Sequence, residues 1–182
     1  MSRKALKSKT AFIALGSNLS DPAAQVNSGF AALAVLPASR VIARSSLYRS
    51  APVGYADQPD FINAVAAIET TLAPRALLEA LFAIERRHDR VREFPNAPRT
   101  LDLDVLLYGD LQLHERGLTI PHPRMHELAF VLLPLAEIAP RCAIPGRGAV
   151  AELLRTIDVA GVTQLAADTS NQSESQSNKN RG

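Results

Sequence analysis

The sequence predicts an α+β domain in which an antiparallel sheet is covered by helices. Three observations support this prediction: the chain has 182 residues, hydrophobic residues make up 47% of it, and β-type runs alternate with helical patterns. A chain of this length is typical of one domain, and its apolar share is enough to fill a core. The order of the elements, taken below along the chain, favours a split β-α-β arrangement.

The first half of the chain is predicted to contain a strand, a helix and two further strands. "AFIALGSN" is a short apolar run that ends in a turn, as a buried strand does. Ser20 or Asp21 can then cap a helix that has Pro22 in its first turn. β-forming residues predict a strand over about 40 to 50, and "FINAVAAIET" predicts the next one.

The second half continues the alternation of helices and strands. Pro74 begins a helix, "PRALLEALFAIERRHD", whose apolar residues recur at helical spacing. "TLDLDVLLYG" is then a strand and "LQLHERGLTI" a weaker one; an apolar helix with Pro134 as a candidate break and a short helix, "AVAELLRTI", come last. The order β, α, β, β, α, β with additions is that of the ferredoxin-like fold, which by itself implies no function.

We expect the folded domain to span residues 11–165, between a basic tail over 1–10 and a polar, disordered tail over 166–182. The net charge of +2 gives no general argument for nucleic-acid or membrane binding. No apolar run reaches the ~18 residues of a membrane span. The single cysteine, Cys142, excludes an intrachain disulfide, so a cytoplasmic enzyme is expected.

The stretch "RTLDLDVLLYG" carries the first candidate site. Side chains alternate along a strand, so Asp102 and Asp104 share one face and their apolar neighbours the other. Two carboxylates about 6.5–7 Å apart along a strand suit a pair of Mg²⁺ ions, which take one or two carboxylates together with substrate phosphates and water. A solvent-facing edge with two aspartates and no ligand is the alternative, and the motif alone favours it.

Three arginines make metal binding the better interpretation of the two aspartates. Arg90, Arg92 and Arg99 lie in the loop before them. Guanidinium groups match phosphate geometry and stay protonated. Arginines beside a metal-type motif therefore indicate phosphoryl transfer. Arg86 and Arg87 need no such role, because the helix dipole favours cations at a helix C-terminus.

A second candidate site follows a long loop, "SAPVGYADQPD", where Phe61 and Asn63 share a strand face. An aromatic ring can stack on a flat heterocycle while an amide bonds its edge, although a core phenylalanine and a turn asparagine explain such a pair more often. His122 and His126 have the spacing of helical zinc ligands, but adjacent prolines argue against a helix there. A neutral His122 is better suited to donate a hydrogen bond to a polyphosphate.

Several segments, taken in order, resemble the 6-hydroxymethyl-7,8-dihydropterin pyrophosphokinases of folate biosynthesis. They are "LGSNL" (15–19), "YRSAPVG" (48–54), "QPDFINAV" (58–65), "PRTLDLDVLLYG" (98–109) and "IPHPRMHE" with "AFVLLPLAEIAP" (120–140). The resemblance runs from about residue 11 to 155 and implies a ferredoxin-like fold. It also implies that the pterin hydroxymethyl group attacks the β-phosphorus of ATP, with two Mg²⁺ ions on the triphosphate and AMP as the product.

The resemblance further implies roles for individual residues. Asp102 and Asp104 would hold the two Mg²⁺ ions, while Arg90, Arg99 and Asp104 would act on the transferring group. The pterin would contact Ser50, Val53, Phe61, Asn63 and Phe130, its ring lying between the two phenylalanines. ATP would contact Glu85, Arg90, Arg92, Arg99, Val105, Thr119 and His122.

The sequence departs from the family pattern at two places. Asn96 and Ala97 stand where many members have tryptophan and glycine, and Leu128 stands where many have a phosphate-binding arginine, for which Arg124 or Arg116 could substitute. A weakened pyrophosphokinase is therefore one alternative. A ferredoxin-like module that binds RNA or a metabolite without chemistry is another, disfavoured by 5% aromatic residues and a net charge of +2. We expect a monomer without nucleic-acid or membrane partners.

Overall fold

The computed structural model describes residues 7–54, 56–88 and 100–167. Its elements in chain order are β1 (Lys9–Ser17), α1 (Pro22–Ala34), β2 (Ser39–Arg44), β3 (Tyr48–Ser50), β4 (Phe61–Thr70), α2 (Pro74–Arg87), β5 (Asp102–Tyr108), β6 (Leu113–Glu115), β7 (Leu118–Ile120), α3 (Ala129–Ile138), β8 (Ala143–Ile144), β9 (Gly148–Ala149), α4 (Val150–Leu154) and β10 (Val162–Gln164). A 3₁₀ turn over Met125–Glu127 precedes α3. No helix among these residues has the length and apolar character that crossing a membrane requires.

The main sheet has the strand order β10-β3-β4-β1-β5, and β2 also pairs with β4. Every pairing in it is antiparallel. β2 and β3 together occupy the place of one strand, because they pair with opposite ends of β4. When β2 and β3 are counted as one strand, the strand order is that of the ferredoxin-like fold, which confirms the predicted fold class.

The single strand predicted over about 40 to 50 is wrong, because it is interrupted between β2 and β3. The cause is Ser45, whose backbone N–H donates to the Val65 carbonyl at 2.9 Å. The Ser45 hydroxyl then accepts from the Val65 N–H, also at 2.9 Å. A side-chain oxygen thus replaces a backbone acceptor, and the regular ladder stops there and resumes at Tyr48.

The structure differs from the predicted elements at three further places. "LQLHERGLTI" is not one strand but the hairpin β6–β7, which turns at Gly117 with φ of 75°, a conformation that glycine adopts readily. β10 was not predicted, yet it extends the main sheet beside β3. Pro134 lies inside α3 and does not end it. The predicted domain bounds of 11 and 165 stay a prediction.

The sheet is buried on both faces. The first core lies between the sheet and α1 and α2; it contains Ile13 and Leu15 of β1 and Leu101 and Leu103 around the start of β5. The second core, with Val65 of β4, packs against α3 and α4. Because side chains alternate along a strand, the leucines in the first core direct the neighbouring aspartates of β5 towards α3.

We expect Asp21→Ala to destabilise the protein by about 1–2 kcal/mol, the usual cost of losing an N-cap. The Asp21 carboxylate accepts from the Ala24 N–H at 3.3 Å, and the residue has a φ of 60°. Asp21→Asn is the matched control, because asparagine also caps helices and tolerates positive φ. Urea unfolding of the three proteins measures the difference; equal losses in both variants would show that the cap contributes nothing.

Candidate functional site

A cavity of about 290 Å³ lies between the main sheet and the beginning of α3. Its walls bring together segments that are distant in sequence: β1, the end of β3 and the loop after it, β4, β5, and the turn that leads into α3. Eight of the sequence-predicted site residues line it, namely Ser50, Val53, Phe61, Asn63, Asp102, Asp104, His122 and Phe130. The two candidate sites of the sequence are therefore one site.

One end of the cavity combines two aromatic rings with two buried polar side chains. Phe61 begins β4 and Phe130 lies in the first turn of α3, and both are partly buried. Ser50 faces Phe61 across the β3–β4 ladder. The Asn63 amide donates to the Ser50 hydroxyl at 2.8 Å, and these two residues are only 6% and 4% exposed. This end of the cavity, called the pterin slot below, thus offers two aromatic side chains and buried polar groups, which suit a flat heterocycle.

Gly16 of β1 links this end of the cavity to the carboxylate end. It is paired with Asn63 on one side and with Asp102 on the other. Ala14 likewise lies between Val65 and Asp104. Strands lie about 4.8 Å apart, so the asparagine and the carboxylates stand roughly 10 Å apart across a floor of small residues.

Glu85 of α2 binds β5, the strand that carries the two aspartates. Its Oε1 accepts from the Leu103 N–H at 2.8 Å, and the residue is 3% exposed. Because β5 is an edge strand of the sheet, this bond satisfies a buried N–H on the edge between the two aspartates. Glu85 does not line the cavity, so its direct contact with ATP stays a prediction.

His122 is neutral and carries its proton on Nε2. Burial lowers the pKa of His122, and this effect together with the nearby Arg124 outweighs the opposing influence of Asp102. Its Nδ1 accepts from the Arg124 backbone N–H at 3.3 Å, which leaves the proton on Nε2. The backbone N–H of His122 donates to the Leu106 carbonyl at 2.9 Å and so attaches the turn to β5.

A second cavity, of about 530 Å³, shares His122 with the first and also contains Thr119 and His126. Thr119 lies 3.1 Å from His114 through its hydroxyl oxygen. His126 belongs to the 3₁₀ turn and His122 lies before it, so the helical zinc spacing does not form. Val105 has its side chain in the first core and lines neither cavity.

Leu128 lines the first cavity, and so does Arg124. Arg116 does not line it, because it lies in the β6–β7 turn, where its carbonyl accepts from Arg75. Of the two arginines that could replace the cation missing at Leu128, Arg124 is therefore the one in position. Its Nε lies 3.6 Å from the Glu127 carboxylate.

Arg90, Arg92 and Arg99 lie outside the described residues, as do Asn96 and Ala97. Their roles at the site stay predictions from the sequence.

The two aspartates fit a magnesium site that substrate completes. No group of three or more histidine, cysteine or acidic side chains within the described ranges could hold a metal ion alone. Mg²⁺ takes one or two carboxylates and fills its octahedral shell with phosphate oxygens and water, so Asp102 and Asp104 in an open cavity are a suitable donor set.

The chain is similar to known proteins in sequence and in fold. Residues 12–140 match a family model described as 7,8-dihydro-6-hydroxymethylpterin-pyrophosphokinase. The chain is 47% identical over 154 residues to the 2-amino-4-hydroxy-6-hydroxymethyldihydropteridine pyrophosphokinase of Pseudomonas aeruginosa, covering 85% of this chain and 95% of that one. For the protein of that name from Haemophilus influenzae, the identity is 46% over 146 residues, with 80% and 91% covered.

Among solved structures, the fold is similar to that of Plasmodium falciparum HPPK-DHPS with pterin and p-hydroxybenzoate. The TM-score is 0.69 at 14% identity, with 90% of this chain covered. This chain spans 48% of the length of that one. At such low identity the similarity concerns the fold alone.

We expect Glu85→Ala to lower both stability and turnover, because it leaves the buried Leu103 N–H without its acceptor at a cost of about 1–3 kcal/mol. Glu85→Gln keeps a carbonyl oxygen and should lose less. Glu79→Ala, an exposed position on the same helix, is the matched control. Thermal unfolding and steady-state rates of the three variants measure the effect, and an Ala variant as stable and active as wild type would contradict it.

Proposed function

The chain belongs to the 7,8-dihydro-6-hydroxymethylpterin-pyrophosphokinase family, and we propose that its reaction takes place in the cavity between Phe61 and Phe130. As a member, it is a diphosphotransferase of folate biosynthesis with ATP as co-substrate. It transfers a diphosphoryl group to the hydroxymethyl group of 6-hydroxymethyl-7,8-dihydropterin and releases AMP. The observation that supports this location is the pairing of Gly16 with Asn63 and with Asp102.

The pterin binds at the aromatic end of the cavity. Its ring lies between Phe61 and Phe130, where both faces are removed from water, and stacking of this kind contributes about 0.5–1.5 kcal/mol beyond the buried area. Asn63 and Ser50 form hydrogen bonds with its polar edge, and Val53 borders the entrance from the exposed loop. The mutual bond of Asn63 and Ser50 fixes their side chains before the pterin arrives, which reduces the entropy lost on binding.

The triphosphate binds at the carboxylate end. Asp102 and Asp104 would hold two Mg²⁺ ions, which when bound neutralise phosphate charge and orient the triphosphate. His122 donates from its neutral imidazole, and Arg124 adds a cation from the same turn. Arg90, Arg92 and Arg99 are proposed to complete the phosphate contacts.

The nucleoside end of ATP is proposed to extend into the second cavity. His122 borders both cavities, and Thr119 lies beside it in the second. Val105 would contribute only through its backbone, since its side chain lies in the first core.

Catalysis then comes from position and charge. The pterin end and the phosphate end face each other across Gly16, so the hydroxymethyl oxygen can be held in line with the β-phosphorus. The arginines stabilise the charge on the transferring group. Asp104 is the proposed acceptor for the hydroxyl proton, although metal ligation lowers its basicity. The monomeric state and the cytoplasmic location stay predictions.

Asp104→Ala should reduce turnover by at least about 100-fold, a typical loss when charge stabilisation in an active site is removed. The fold should remain intact, because the side chain is only partly buried and faces the cavity. The measurement is Mg²⁺-dependent AMP formation from ATP and the pterin, with Asp110→Ala, an exposed position after β5, as the control. Near-normal turnover of Asp104→Ala would contradict the metal assignment.

Arg124→Ala should raise the KM for ATP about tenfold, the equivalent of about 1.4 kcal/mol for a charge-assisted contact. Arg116→Ala removes a similar charge outside the cavity and should leave the KM unchanged. Initial rates at varied ATP distinguish the two variants. If both behave as wild type, Arg124 does not contact the phosphates.

A further inference from the structure

The C-terminal end of α3 carries a carboxylate, Glu137, that the proposed reaction does not use. It receives hydrogen bonds from Ser46, which precedes β3, and from Tyr48, the first residue of that strand. The Ser46 N–H lies 3.0 and 3.1 Å from its two oxygens, and the Ser46 hydroxyl donates at 2.7 Å. The Tyr48 hydroxyl also donates at 2.7 Å. Glu137 therefore joins the helix of the second core to the strand at the edge of the pterin slot.

Glu137 and Phe130 belong to the same face of α3, since they are seven residues, or two helical turns, apart. Tyr48 and Ser50 share one face of β3, since they are two residues apart. The face of α3 that carries Phe130 at the beginning of the helix therefore also carries Glu137, which binds β3, at the end of the helix.

The register of β3 controls the polar edge of the slot. Tyr48 is paired with Asn63, and Ser50 with Phe61. A shift of β3 along β4 would therefore break the bond between Asn63 and Ser50 and displace Ser50 from the ring of Phe61. β3 has only three residues, so its own ladder offers little resistance to such a shift.

The C-terminal strand adds a third element to this contact. Gln164 of β10 is paired with Tyr48, and its amide donates to the Ser46 hydroxyl at 3.0 Å. That hydroxyl in turn donates to Glu137. An amide, a hydroxyl and a carboxylate form a continuous chain of hydrogen bonds, and each bond polarises the next.

The charges at this contact are well defined at neutral pH. Tyr48 is only 6% exposed, and burial together with the carboxylate raises the pKa of its hydroxyl, so it remains a donor. Burial acts to raise the pKa of Glu137, but the bonds from Tyr48 and Ser46 outweigh it, and the pKa lies below its usual value. The carboxylate is therefore ionised and accepts short, charge-assisted bonds.

We propose that Glu137 is a positioning residue of the pterin site, which holds α3 on β3 so that Phe130 keeps its spacing from Phe61 and Ser50. The proposal rests on the proposed function in one respect, namely that the pterin binds in this slot. Glu137 makes no contact with substrate. It acts through Tyr48 and Ser46 on one side and through its own helix on the other.

The experiment compares pterin and ATP affinities in Glu137→Gln, with Glu152→Gln on α4 as the control for an exposed glutamate. Pterin binding is followed by the intrinsic fluorescence of the pterin, and the KM for ATP by AMP formation. We expect pterin affinity to fall about tenfold in Glu137→Gln, with kcat and the KM for ATP within threefold of wild type. Tyr48→Phe should show a smaller loss of the same kind, and the double variant should bind no worse than Glu137→Gln.

Unchanged pterin affinity in Glu137→Gln would overturn the proposal, and so would equal losses for both substrates. If Glu137→Gln does not fold, Tyr48→Phe decides by the same comparison of the two substrates. A wild-type protein that fails to bind the pterin would instead contradict the proposed function, which separates the two failures.

Discussion

The pairing of Gly16 with Asn63 on one side and with Asp102 on the other is the constraint on which the site depends. β1 lies between β4 and β5, so its register with these two strands decides what stands on each side of the cavity floor. A slip of one residue would turn every side chain of a strand to the opposite face. The leucines of the first core prevent that slip, because it would turn them towards the cavity and bury the aspartates in the first core. Apolar packing on one face of the sheet therefore fixes the polar chemistry on the other.

Two glutamates on helices bind the strands on either side of this floor. Glu85 binds the edge of the carboxylate strand from α2, and Glu137 binds the pterin-edge strand from α3. Both are acidic side chains that accept hydrogen bonds from other elements of the fold. In the proposed function, the carboxylates that face the cavity would bind Mg²⁺, whereas Glu85 and Glu137 bind donors of the fold itself.

Much of this arrangement could be predicted from local patterns. The alternation in "TLDLDVLL" and in "FINAVAAI" assigned the aspartates and the Phe61–Asn63 pair to the correct faces, because strand geometry is local. The break at Ser45 could not be predicted, since it depends on Val65, which is 20 residues away. β10 is short and largely polar, with no periodic signal. The position of Arg124 in the cavity, and not of Arg116, follows from turn geometry that spacing does not reveal.

The strand β10 has a consequence for how the site is assembled. Its Gln164 meets Ser46, a residue 118 positions earlier in the chain. Bringing together such distant segments carries a loop-closure cost that local helices do not have. During synthesis, β1, β4 and β5 can associate long before residues 162–164 have left the ribosome. The edge of the slot is therefore completed late, after the rest of the sheet is already in place.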